Sequence, residues 1–176
     1  TQTYAGAVTL SGGSRILAAS VVNTQSTLDG GGNALTITGV ADIDGTVSGV
    51  TNLSVTGASN IGADITTSGT QTYAGAVTLS GGDRTLTAST VHTQSTLVGG
   101  GNALTIAGAA DIDGTVTGVT NLSVTGTSNI GADITTSGTQ TYSGSVTVSG
   151  GERKMTASTV HTQGTLVGGG NALTIA

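Results

Sequence analysis

The chain has 176 residues, including 31 Gly, 36 Thr and 18 Ser, with no Pro, Cys, Trp or Phe and three Tyr. Charged residues make up 7% against a usual quarter, and nine acids outweigh four bases for a net charge of -5, which argues against a charge-rich disordered tail, a nucleic-acid partner or an anionic membrane surface. The missing Pro excludes collagen, the missing Cys excludes disulfide staples, and no apolar run approaches the ~20 residues of a membrane-spanning helix.

The first predicted element is the phrase Val8-Thr9-Leu10-Ser11-Gly12, which runs apolar, hydroxyl, apolar, small, glycine. Its period of two reads as a strand with aliphatic residues on one face and hydroxyls on the other. The stretch from Arg15 to Asn23 alternates in the same way around Leu17 and Val22, except that Arg15 shares the parity of Leu17. That exception places Arg15 at a corner, where its side chain can turn to solvent. Gly30-Gly31-Gly32-Asn33 follows as a corner built from residues that tolerate positive φ. Two further phrases, Leu35 to Gly39 and Leu53 to Gly57, flank Asp42-Ile43-Asp44-Gly45, and Asp42-Ile43 is echoed by Asn60-Ile61.

At Thr70 the chain begins again. Residues 1–69 recur as 70–138 with ten differences, and 139–176 repeats the opening 38 positions with seven differences from the second copy. Ser14, Ile16 and Ala18 become Asp83, Thr85 and Thr87 while Leu17 remains Leu86, so variation falls on alternate, outward positions. The strand phrase occurs eight times, beginning at Val8, Leu35, Leu53, Val77, Leu104, Leu122, Val146 and Leu173, so its spacing cycles long, short, long.

Strands returning at short intervals, with glycine punctuation and no helical period, predict an all-β, right-handed parallel β-helix. Taking one phrase per coil gives about eight coils averaging 23 residues, three to each 69-residue super-repeat. Residues 1–176 then form one β-helical segment, expected to belong to a longer array because neither end carries an aromatic, charged or helical cap.

The candidate chemistry is sparse. Asp42 with Asp44, and Asp111 with Asp113, put paired carboxylates on one strand face as calcium candidates, although calcium needs six or more oxygens. His92 and His161 replace Asn23 of the first copy and read as variable surface positions, with no clustered His or Cys to suggest zinc. No catalytic residue is assigned, because the acids are duplicated by the repeat whereas an active site is a single constellation. Thr9, Thr36, Thr38, Thr56, Thr78, Thr105 and Thr125 form an outward hydroxyl array of a kind that could contact polysaccharide or ice, with Tyr73 as a candidate for stacking on sugar.

The phrases Thr-Gln-Thr-Tyr-Ala-Gly-Ala-Val-Thr-Leu (Thr70 to Leu79) and Thr-Asn-Leu-Ser-Val-Thr-Gly (Thr120 to Gly126) resemble the repeat regions of filamentous haemagglutinin-type exoproteins. These are very large bacterial surface adhesins, often exported by two-partner secretion. The resemblance implies an extracellular or cell-surface, non-enzymatic shaft serving adhesion or biofilm contacts. Its partners would be neighbouring repeats, other adhesin copies or extracellular polysaccharide, with no nucleic acid and no membrane insertion. The resemblance brings no shared site residues with it.

Overall fold

A computed structural model describes all 176 residues, Thr1–Ala176. The chain is all strand, turn and bend, with no helix, and its 22 strands join one continuous parallel stack. Each strand pairs with the strands one coil before and one coil after it, at offsets that run from the short step of Val50 onto Thr67 to the longer step of Ile65 onto Leu86. The protein is a β-solenoid of about nine coils spaced by roughly 19 residues. At the usual strand spacing of about 4.8 Å, the stack is about 40 Å long.

Each coil has three faces. The first face begins with Gln2–Tyr4, the second with Val8–Thr9 and the third with the start of Arg15–Thr24. Side chains alternate along each face, so every strand sends inward residues to the axis at i and i+2. On the second face Val8, Leu28, Val47, Ile65, Leu86, Ile106, Val124 and Tyr142 lie directly above one another. Columns of this kind build a single core of 33 buried side chains running along the axis. Shared burial of this sort makes each coil depend on its neighbours, because one coil by itself cannot cover both of its open edges.

The coil is shorter than the phrase spacing predicts, and the 69-residue block does not hold three coils. Doublets at the inward register begin at Gln2, Val8, Arg15 (itself exposed), Val22, Leu28, Leu35, Ala41, Val47, Leu53, Ser59 and Ile65 before the cycle restarts at Gln71. Eleven strand lengths on a three-sided prism make three and two-thirds turns. Counting only glycine-terminated aliphatic phrases skipped the strands whose inward positions carry Ser59, Thr67 or Gln71, all of which are buried. The long spacings, such as Val8 to Leu35, are one and one-third turns. The short one, Leu35 to Leu53, is a true coil, as the registers of Leu35 on Leu53 and Asp42 on Asn60 confirm.

Corners and parity follow the sequence reading. In each triple-glycine corner the second and third glycines have positive φ: 56° and 77° at Gly31 and Gly32, and 60° and 83° at Gly100 and Gly101. Leu86 and Val91 are buried while Ile16 is 70% exposed, as alternate variation requires. The arginines fold back at their corners. Arg84 Nε donates to Ser80 O at 2.9 Å and Arg153 Nε to Ser149 O at 3.1 Å, each capping a carbonyl of the Ser-Gly-Gly turn before it.

Candidate functional site

Because the super-repeat ends one face short of a whole number of turns, equivalent residues in successive copies occupy different faces. Tyr4 stacks on Thr24 on the first face, Tyr73 on Val55 and Thr93 on the third, and Tyr142 on Val124 on the second. Any feature that repeats once per block therefore winds around the prism.

This rotation decides how the hydroxyl array is laid out. Thr9, Thr36, Thr38, Thr56, Thr78, Thr105 and Thr125 all point outward, and none is buried. Their phrases are distributed over three faces: Thr9 and Thr105 on the second, Thr36 on the third and Thr78 on the first. Two phrases stack directly only where the spacing is short, as with Thr36 on Ser54 and Thr105 on Ser123. The phrases therefore do not share one face, and some of the hydroxyls are spent within the fold, as where Thr125 Oγ1 accepts from the Gly108 amide at 3.0 Å.

Tyr73 is not on the outer surface. It and Tyr142 are fully buried, each donating its phenolic hydrogen to a glutamine in the same strand: Tyr73 to Gln71 Oε1 at 2.9 Å and Tyr142 to Gln140 Oε1 at 3.0 Å. The parity is simple in hindsight, since Tyr73 is two residues from Gln71 and both lie on the inward side. Sugar stacking by Tyr73 is thereby corrected to a packing role.

The polar outer columns carry the remaining chemistry. On the first face Thr3, Asn23, Asp42, Asn60 and Thr78 stack in register. Asp42 is bridged on both sides there, accepting from Asn23 Nδ2 at 2.6 Å and Asn60 Nδ2 at 2.8 Å. The same column recurs on the third face as Thr72, His92, Asp111, Asn129 and Thr147. Here His92 replaces Asn23, and its Nε2 lies 2.9 Å from Asp113 Oδ2 and 3.6 Å from Asp111 Oδ2. Asn129 Nδ2 donates to the other oxygen of Asp111 at 2.7 Å.

The ligand atoms of His92, Asp111 and Asp113 all lie within 4.8 Å of one another. In the sequence His92 stands apart from acids, because a 23-residue coil would set Thr115 above it. The signal was present in the echo of Asp42 by Asn60, since a step of about that size carries His92 onto Asp111. Asp42 and Asp44 are joined by no histidine, and His161, on the second face above Thr141, forms no ion pair.

Comparison with family models, with curated proteins and with solved structures finds no match to this chain.

Proposed function

We propose that the chain is a structural shaft, a length-setting spacer in a large secreted or surface-attached bacterial adhesin that supports adhesion or biofilm contacts. One observation carries the reading: the parallel register continues across both super-repeat boundaries, so each added copy lengthens the rod under the same folding rules. Three and two-thirds coils per copy add about 18 Å of rod. Rotation by a third of a turn per copy spreads side-chain variation over all three faces, which suits a rod that presents no single working surface. The likeness of the Thr/Gly phrases to haemagglutinin-type repeats supports the same role, and it is a mechanical role without catalysis.

The test is to insert one, two and four further copies of residues 70–138 and to measure maximum dimension by small-angle scattering. The expected increment is about 18 Å per copy. In parallel, a binding tip fused to the same series and displayed on cells should capture a tethered partner better as copies are added. Length that fails to grow in equal steps, or capture that is indifferent to copy number, sinks the proposal.

A further inference from the structure

We propose that His92, Asp111 and Asp113 form a surface site for one divalent transition-metal ion of the zinc class. Three donors converge from two adjacent coils: an imidazole from one, and from the next two carboxylates at i and i+2. The observed separations of 2.9 and 3.6 Å from Nε2 to the two carboxylate oxygens bracket the edge of a tetrahedral zinc site. With metal–ligand bonds of about 2.0–2.1 Å that edge is about 3.3 Å. The backbone register already sets these positions, so binding needs only small side-chain rotations.

The donor set selects the class of ion. An imidazole with carboxylates suits zinc and its neighbours, whereas calcium asks for six to eight oxygens and gains nothing from imidazole nitrogen. The outer shell is also in place. Asn129 holds Asp111 Oδ1 and leaves Oδ2 directed at His92, the arrangement that orients a carboxylate ligand. No lysine or arginine pairs with either aspartate, and the side chains that reach their oxygens are His92 and Asn129. Side-chain exposures of 25% for His92, 34% for Asp111 and 48% for Asp113 leave a coordination position open to solvent.

The chain contains its own controls. The first super-repeat presents Asn23, Asp42 and Asp44 in the equivalent positions, with Asn23 held to Asp42 and no imidazole. Within residues 1–176 His161 is an imidazole with no acid paired to it. Titrating the purified chain with zinc alone, followed by calorimetry and by histidine ring resonances, should give one saturable, chelator-reversible site per chain. His92→Asn, which recreates the first-copy arrangement and so keeps the fold, should weaken binding by roughly tenfold or more, because one of three ligands is lost. His161→Asn should leave it unchanged, and Asn23→His should add a second site beside Asp42 and Asp44.

Circular dichroism of each variant separates lost binding from lost fold. The proposal is overturned if zinc shows no saturable binding up to millimolar concentration. It is equally overturned if His92→Asn retains full affinity, if affinity depends on His161, or if calcium binds as tightly as zinc.

Discussion

Tyr73 and Gln71 are hydrogen-bonded to each other inside the solenoid, with the phenolic hydrogen directed at Gln71 Oε1 and the Gln71 amide donating to the carbonyls of Ile65 at 3.1 Å and Thr87 at 2.9 Å. The pair ties the strands Ile65–Thr67, Thr70–Tyr73 and Arg84–Thr93 together from within. Tyr73→Phe leaves a buried amide oxygen without its donor and should cost about 1–3 kcal/mol. Tyr73→Ala also opens a cavity, and should cost about 3–5 kcal/mol. Urea unfolding of both variants checks the order and the spacing of these losses.

Burial pushes the ionisation of Tyr73 and Tyr142 well above the ordinary phenol range. In the unfolded chain both phenols ionise near pH 10, so above that pH the unfolded state binds fewer protons than the folded one. Stability contributed by the neutral phenols is therefore complete below pH 10 and falls as the pH rises beyond it, by about 1.4 kcal/mol per pH unit for each ring. Phenolate absorbance of these two rings should appear together with loss of the β circular-dichroism signal. Tyr142→Phe should make the alkaline loss of stability less steep.

Thr93 is inward, buried and leaves its hydroxyl without a partner. Thr93→Val keeps the shape and removes an unpaired polar atom, so it should stabilise the chain by about 1 kcal/mol. Thr93→Ser retains the hydroxyl and loses the methyl, and should destabilise it. Thermal midpoints of the two variants moving in opposite directions check the assignment.

Parity was legible in the sequence because burial acts on every second residue: Leu17 and Val22 persist between positions that vary, and the structure places them inward. Corners were legible too, because few residues besides Gly and Asn tolerate the backbone of Gly31 and Gly32. Coil length was not. Inward Gln71, Ser59 and Thr67 do not look like core residues, and their place in the core comes from register with neighbouring coils, not from local pattern. The meeting of His92 with Asp111 and Asp113 is hidden in the sequence for the same reason, since a site assembled between coils is visible only once the coil length is known.

Gly114 packs closely against the backbone of the coil before it. A Cβ there would overlap the Ser95 carbonyl oxygen, with no side-chain movement able to relieve the clash. Gly114→Ala should force the two coils apart and cost more than about 3 kcal/mol, in the range of severe packing or backbone defects. Gly6, which has open space around its Cβ direction, should accept alanine with a change within about 0.5 kcal/mol. Amide exchange in Gly114→Ala should rise first in the strands Leu97–Val98 and Val116–Val119, which pair across that contact.

The three-sided coil makes a sharper demand on which residues are neighbours. Asn60 and Thr78 are in register on the first face, and adjacent strands set their Cα atoms about 4.8 Å apart, within the range a disulfide spans. If one aliphatic phrase marked each coil, Thr78 would instead lie over Ser54, its counterpart in the preceding phrase. In the structure Ser54 stacks on Thr72 on the third face, so the two are separated by a corner and lie on different sides of the prism. The chain has no native cysteine to interfere. Mild oxidation should close a disulfide in the Asn60→Cys, Thr78→Cys variant and leave both thiols free in Ser54→Cys, Thr78→Cys. The opposite pattern would restore the longer coil, and it would also separate His92 from Asp111, so one cross-linking experiment bears on both the architecture and the proposed metal site.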